Sequence, residues 1–493
     1  MSVIAETNYG DYEGYEKNGT VIFKGIKYAH APRFLPPAKI EKHDGLYKAD
    51  KFGQVSYQPT EAMGGLLSGP DPDVAEECLF LNIHTMDLNN KARPVMVWIH
   101  GGGFTGGSGS TPWYNGTKFV VNSDVVIVTV NYRLGALGFL NLSEFLDDRY
   151  QSSGLTGILD QITALKWIHE NIAAFGGDPN NVTIFGESAG AMSIGTLLAI
   201  PEARRYFRKA ILQSGATRNC LTQQESKTVT EAYLNVLKFD SAEQLLDCDP
   251  NNLLKKQTEV SAELLRNKSL DPIHVAKTVA LPFQPSLDGI YLTKMPSAAI
   301  KNGDAKDIPL IVGTNSDEWN LFALMEKAPK TFEEIEFRAK QFNKPNLVSN
   351  YRNVHGSLNA TELWNTIMTD IVFRNIAVGL LNDQTEHQPN CYQYLFSWKS
   401  TAFDGFLGAC HALEIPFVFD NLHVAGAKFV TGENPPEELA RLMNRLWSNF
   451  AHFGDPNSST WELSWPKYSA TDPKLLNFNI DVTVEKTAPV VRG

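Results

Sequence analysis

Ser188 stands in Gly186-Glu187-Ser188-Ala189-Gly190, directly after the apolar run Val182-Thr183-Ile184-Phe185 and ahead of Ala191, Met192, Ile194, Leu197, Leu198 and Ile200. A serine between two glycines, where a strand passes into a helix, marks a sharp turn that exposes its hydroxyl as a nucleophile. The glycines remove side chains where the two backbones nearly touch. A helix starting near Ala189 turns its N–H groups and positive dipole end toward whatever Ser188 attacks. In a chain with 37 glycines among 493 residues the string alone is only moderately specific. Its place between a buried strand and a helix gives it weight.

A serine hydroxyl is a poor nucleophile without a base to take its proton and a site for the developing oxyanion. The second requirement points to His100-Gly101-Gly102-Gly103-Phe104, which follows the apolar run Val95–Ile99. Glycines in a row let backbone N–H groups face a ligand, so the N–H groups of Gly102, Gly103 and Ala189 are expected to form the oxyanion hole. Losing one such donor typically costs about 3–4 kcal/mol of transition-state stabilisation. A flexible loop is the alternative for such a run, as it is for Gly106-Gly107-Ser108-Gly109 nearby.

With an elbow serine, the acid and then the histidine follow along the chain. That leaves His355, His387, His411, His423 and His452 among the eleven histidines. His452 lies on an amphipathic C-terminal helix and reads as packing, while His355 and His387 sit in polar, solvated segments. His411 stands in the small-residue loop Gly408-Ala409-Cys410-His411-Ala412-Leu413-Glu414, after the strand Tyr392–Phe396, where a loop-borne base is expected. For the acid, Asp317 and Glu318 both follow the strand Ile308–Gly313, at the edge where open α/β sheets collect catalytic groups. Spacing does not separate the two.

The elements that must position these groups are legible. Val95–Ile99 and Val125–Val130 are apolar without polar alternation, the signature of strands buried on both faces of a helix-covered sheet. Ile162, Leu165, Ile168, Ile172 and Phe175 recur at helical spacing between Asp160 and Phe175, and Gly176-Gly177-Asp178-Pro179 stops them. A strand near Ala210-Ile211-Leu212 follows the elbow helix, and the alternation of strand and helix predicts a doubly wound α/β fold. The chain closes on a helix with Leu439, Leu442, Met443, Leu446, Trp447 and Phe450 on one face, capped by Gly454. One main domain over residues 1–493 is expected, with more polar, helical insertions at about 220–300 and 320–390 that wall the site.

A net charge of −11 and the lack of any Lys/Arg-rich run argue against nucleic-acid binding. No apolar stretch reaches membrane-span length. The first residues carry neither a basic start nor a signal-length apolar core, and the five cysteines are odd in number and not in metal-ligand spacing. The expectation is a cytoplasmic protein with no cofactor, metal, nucleic-acid or membrane partner, monomeric or homodimeric.

Further blocks carry a resemblance that extends over essentially the full length. These are Lys24-Gly25-Ile26-Lys27-Tyr28-Ala29, Glu76-Glu77-Cys78-Leu79-Phe80-Leu81-Asn82, Trp98 to Phe104, Asn131-Tyr132-Arg133, Phe185 to Gly190, Asp317-Glu318, His411 to Phe419 and Gly454-Asp455-Pro456-Asn457. With them the chain resembles the type-B carboxylesterases of the α/β-hydrolase superfamily, and especially the bacterial para-nitrobenzyl esterases. The resemblance implies a central, mostly parallel twisted sheet flanked by helices, with insertions forming gorge walls. It implies a serine carboxylesterase for small-molecule esters of short to medium acyl chain, with Ser188 as nucleophile, Glu318 as acid and His411 as base. Glu187 and Ser214 take supporting roles, and Glu414 braces the histidine loop. The ion pairs Arg33–Glu76 and Arg133–Asp160 follow from the same source. Catalytically inactive adhesion relatives, and lipases, thioesterases, lactonases or carbamate hydrolases of the same fold, are the alternatives.

The sequence also departs from the family. Tyr28 to Phe34 is a shortened stretch, expected to change the pocket rim. Cys78 occupies a disulfide position of secreted relatives but has no partner cysteine in Phe52-Gly53-Gln54-Val55-Ser56, so a free thiol is expected, as in a reducing compartment. Trp319 replaces a usual glycine after the acid, where it would narrow the pocket or stack on substrate. Trp113 and Tyr114 either line the mouth or pack.

Overall fold

The doubly apolar runs become the middle of a thirteen-stranded sheet. In the computed structural model, which describes residues 2–59, 73–266, 281–340, 344, 346–457 and 463–490, the strands are β1 (Ser2–Thr7), β2 (Gly10–Lys17), β3 (Thr20–Lys27), β4 (Leu46–Lys48), β5 (Phe80–Thr85), β6 (Arg93–Ile99), β7 (Val126–Val130), β8 (Gly177–Glu187), β9 (Lys209–Gln213), β10 (Leu310–Asn315), β11 (Cys391–Phe396), β12 (Lys474–Phe478) and β13 (Thr483–Lys486). Across the sheet they run β1-β2-β3-β5-β7-β6-β8-β9-β10-β11-β12-β13, with β4 beside β2. From β7 to β12 every pairing is parallel. Strands β1, β2, β3 and β5 approach this core antiparallel, β4 runs parallel to β2, and β13 closes the far edge antiparallel.

Period-2 geometry sends alternate side chains to opposite faces, and here both faces are dry. Val95, Val97, Ile99, Val126, Val128 and Ile184 join one core cluster. Met96, Trp98, Ile127, Phe185, Ile211 and Ile311 join a second. Helix Thr156–Asn171 and the elbow helix Ala189–Leu197 cover the first face. The closing helix Glu437–Phe453 covers the second with Leu439, Met443, Leu446, Trp447 and Phe450, and Gly454 ends it in the left-handed conformation at φ 71°. Trp113 is buried in this second cluster and Tyr114 packs against it, so both aromatics are packing residues.

Element boundaries differ modestly from expectation. Helix Thr156–Asn171 starts a turn before Asp160, and Ile172–Phe175 tightens into a 3₁₀ turn before the left-handed Gly176. Strand β8 extends back to Gly177 because Gly177 pairs with Arg93 of β6. The stretches at 220–300 and 320–390 are helical and behave differently. Val229, Tyr233 and Leu253 bury into the same cluster as the elbow helix, whereas Ile335, Tyr351, Leu363 and Trp364 make a small core of their own. Residues 267–280, 341–343 and 345 of those stretches lie outside the described residues.

Two ion pairs tie loops to this frame. Arg133 donates from Nε and Nη2 to both carboxylate oxygens of Asp160 at 2.8 and 2.7 Å, and from Nη1 to the carbonyls of Pro32 and Leu35. Arg33 bonds both oxygens of Glu76 and reaches the carbonyls of Leu245, Leu246 and Cys248. Arg33 thereby anchors the Tyr28–Phe34 stretch, whose Tyr28 hydroxyl donates to Asn131 O at 2.6 Å. All five cysteines are free, and burial pushes the Cys78 thiol up to about 12. Among the described residues no helix is long and apolar enough to cross a membrane.

Asp160 is fully buried, so removing its partner strands a charge in a low-dielectric core. Arg133→Leu is expected to lower stability by about 3–5 kcal/mol, read as a shift of the urea midpoint at constant slope.

Candidate active site

Strands β6, β8, β9 and β10 deliver their C-terminal ends to one edge of the parallel sheet, and the candidate residues sit in the turns that follow. After β8 the chain turns at Ser188, held at φ 53° and ψ −123°, a conformation few non-glycine residues adopt. The flanking glycines are required by contact. A Cβ on Gly190 would lie 2.0 Å from the Ile99 carbonyl oxygen, and one on Gly186 would lie 2.5 Å from the same atom. The elbow helix thus rides directly on the end of β6.

The glycine run begins one residue after Ile99. Gly102 and Gly103 have φ of 108° and 62°, and the Gly102 carbonyl accepts from the N–H groups of Thr105 and Gly106 at 3.1 and 3.0 Å, folding the run into a turn. Among the described residues no hydrogen bond takes up the N–H of Gly102, Gly103 or Ala189. His100 holds the base of this turn: its ring stacks on Tyr132 at 4.4 Å, and the Tyr132 hydroxyl donates to the His100 carbonyl. Burial drives the His100 imidazole down to about 4, so it is neutral. The second glycine run is pinned as well: the N–H of Gly107 donates to Gln58 and that of Gly109 to Asn131, both at 2.8 Å.

Asp317 and Glu318, equivalent by spacing, diverge completely. Asp317 Oδ2 accepts from the Ala409 N–H at 2.9 Å, and the Asp317 N–H donates back to the Ala409 carbonyl, so this residue staples the histidine loop. Glu318 is fully buried. Its Oε2 meets His411 Nδ1 at 2.6 Å, while its Oε1 accepts from the Ser214 hydroxyl at 2.6 Å and the Asn315 N–H at 2.8 Å. Glu414 accepts from Gln213 Nε2 at 3.1 Å and Asn315 Nδ2 at 2.6 Å, and Asn315 Nδ2 also donates to the Cys410 carbonyl. Trp447 Nε1 donates to Gln213 Oε1 at 3.0 Å, which carries the network back to the closing helix.

The other imidazole nitrogen, His411 Nε2, lies 3.0 Å from Glu187 Oε1, beside Ser188 in the chain. No hydrogen bond joins it to the Ser188 hydroxyl in this structure; such contacts tighten when substrate is bound. Burial pushes the Glu187 carboxyl up to about 8, against the attraction of His411. Burial also works against charge on His411, but Glu187, Glu318 and Glu414 outweigh it and hold the imidazole up at about 9. Three buried carboxylates therefore surround one imidazole.

Sequence reasoning missed several contributors. Phe322 and Phe373 approach the His411 ring at 5.0 and 4.7 Å between centroids. Gln213 and Asn315 escaped because each is an amide at a strand end, with only its neighbours Ser214 and Asp317 to mark it. Trp319 is engaged in packing: its ring tilts against Phe322 at 4.9 Å and its Nε1 donates to Glu326 at 2.9 Å. The other histidines stand apart. His423 contacts Glu437 at the surface, His387 the Lys301 carbonyl, and His452 the Ser123 carbonyl.

The sequence profile of the carboxylesterase family matches residues 2–489. The chain belongs to the carboxylesterase family. It is 37% identical to the para-nitrobenzyl esterase of Bacillus subtilis (strain 168), over 98% of this chain and 96% of that protein. It is 33% identical to the phenmedipham hydrolase of Pseudarthrobacter oxydans, over 96% and 94%. The crystal structure of a Geobacillus stearothermophilus carboxylesterase superposes with a TM-score of 0.85 at 36% identity, covering 98% of this chain and 97% of that one. The protein is a serine ester hydrolase of the α/β-hydrolase fold, as the blocks from Lys24 to Asn457 implied.

Around pH 9, where His411 titrates, Glu187 is ionised, so Glu187→Gln removes a negative charge that favours the imidazolium. In Glu187→Gln the His411 imidazole is expected to titrate at lower pH than in the parent, followed by nitrogen chemical shifts in selectively histidine-labelled protein. An unchanged titration would show that Glu187 does not set this charge.

Proposed function

We propose that Ser188, His411 and Glu318 act as nucleophile, base and acid in the hydrolysis of small carboxylic esters of short to medium acyl chain. The observation that carries this reading is the 2.6 Å contact from Glu318 to His411 Nδ1, which fixes the tautomer and turns Nε2 toward the elbow. His411 Nε2 takes the Ser188 proton as Oγ attacks the ester carbonyl. The N–H groups of Gly102, Gly103 and Ala189 receive the oxyanion, and they are supported as donors by having no other acceptor among the described residues. The tetrahedral intermediate collapses, the C–O bond to the alcohol breaks, and His411 returns the proton to the leaving oxygen. Water then attacks the acyl-serine by the same route in reverse, and Glu318 stabilises the imidazolium throughout.

Ser214 and Asn315 hold Glu318 in place by occupying its other oxygen. Glu414 acts at one remove, bracing the loop that carries His411 through Asn315 and Gln213. Phe322 and Phe373 we read as walls that favour compact acyl groups. The insertions at about 220–300 and 320–390 we read as the sides of the gorge within a single domain. The free cysteines fit a reducing compartment, and we place the enzyme in the cytoplasm on that ground.

Hydrolysis of p-nitrophenyl esters from acetate to palmitate tests this directly. Ser188→Ala is expected to lower kcat on the order of 10⁶-fold, and Glu318→Gln about 10⁴-fold, while Asp317→Asn keeps the Glu318 contact and most of the activity. A sulfonyl fluoride should add once, on Ser188, by peptide mass mapping. Retained turnover in Ser188→Ala would overturn the assignment.

A further inference from the structure

The loop after β9 contributes more than Ser214. Gly215 packs on the nucleophile turn, where a Cβ would lie 2.5 Å from the Ser188 carbonyl oxygen. Ala216 lies against the elbow helix, its carbonyl 2.4 Å from where a Cβ on Gly195 would be. Two residues on, the half-buried Arg218 sends Nη1 to the Ile371 carbonyl at 3.0 Å. Ile371 belongs to the π-helical turn Asp370–Arg374, the same turn that presents Phe373 to His411. Arg218 therefore bridges the serine side of the site and the histidine side.

Its company sets it apart. The other well-covered arginines have carboxylate partners: Arg93 has Asp87 and Asp124, Arg133 has Asp160, Arg33 has Glu76, and Arg374 has Asp370. Arg204, which donates to the Leu198 carbonyl, at least feels the charge of Asp304. Arg218 has five N–H donors, one carbonyl acceptor, and no carboxylate in ion-pair contact among the described residues. Burial lowers its pKa, and no acidic neighbour among those residues raises it back. A guanidinium withdrawn from water without an anion is costly, and its planar fork matches a carboxylate. The overall charge of −11 does not attract anions to this protein, so a half-buried cation on the loop that follows Ser214 is a local device.

We propose that Arg218 is a specificity-determining residue that receives a carboxylate carried by the substrate, so that the preferred esters are anionic, such as half-esters of dicarboxylic acids. This rests on the triad reading above, and it names the substrate class for the same site. The carboxylate displaces no charge partner, because Arg218 has none among the described residues to release.

Two matched pairs of probes test it. Mono-4-nitrophenyl adipate is compared with 4-nitrophenyl hexanoate for a carboxylate on the acyl side, and 4-carboxyphenyl butyrate with phenyl butyrate for one on the alcohol side. In Arg218→Gln the kcat/KM of the anionic member of at least one pair should fall about ten- to a hundredfold, the range of a charged hydrogen bond. The fall should lie in KM and exceed any loss on the neutral member at least about tenfold. Arg218→Lys should recover part of the preference, because it restores charge without the fork. Equal losses on charged and neutral esters, or no loss on either anionic probe, would overturn the proposal and leave Arg218 a brace for Ile371. Failure of the triad reading looks different: the neutral esters would then survive Ser188→Ala.

Discussion

The contact on which this molecule depends is between backbones. The carbonyl oxygen of Ile99, last residue of β6, occupies the space that side chains at positions 186 and 190 would need. The approach is possible only because both are glycine, and it has two consequences. It seats the elbow helix on the sheet edge with its N-terminus toward the site. It also places the glycine run, which starts one residue after Ile99, alongside Ser188. The Ser188 turn and the glycine run are set side by side by one steric fact, with no flexible side chain between them. Strain at Ser188 is sustained by this over-determination, since Gly215 and Gly101 also abut the turn and leave it no room to relax.

Charge is handled with the same economy of space. Arg133 and Asp160 neutralise each other inside the core while also tying down the carbonyls of Pro32 and Leu35. Around His411 the logic is reversed. Glu187, Glu318 and Glu414 are all buried, and their summed field favours a proton on the imidazole. That field raises the pH at which the imidazole gives up its proton. Two of the carboxylates are held by amides and a hydroxyl, Glu318 by Ser214 and Asn315 and Glu414 by Gln213 and Asn315, while Glu187 faces His411.

The network also links distant elements. Trp447 on the closing helix bonds Gln213 at the end of β9, Gln213 bonds Glu414 beyond the histidine loop, and Asn315 at the end of β10 joins Glu414 to the peptide of Cys410. Asp317 adds a backbone staple to the same loop at Ala409. A histidine carried on a loop is thereby tied at several points along that loop, and a misplacement of about 1 Å can cost about a hundredfold in rate. The aromatic rings of Phe322 and Phe373 complete its cage from segments far apart in the chain.

Local sterics and periodicity act over a few residues, and those features were legible in the chain itself. The elbow, the glycine run and the doubly buried strands each follow from short-range rules, and motif resemblance added both arginine pairs and pointed to Glu318 and His411, which the structure brings into contact. Adjacent residues in a loop obey no such rule. Asp317 and Glu318 share one spacing and one chemistry, yet the partners that separate them, Ala409 for one and His411 for the other, lie some ninety positions on. The same holds for Phe322 and Phe373 against His411, for Trp319 drawn into packing, and for Arg218 left without a carboxylate among the described residues. Which side chain meets which across the sheet edge depends on long-range packing, and only the tertiary structure decided it.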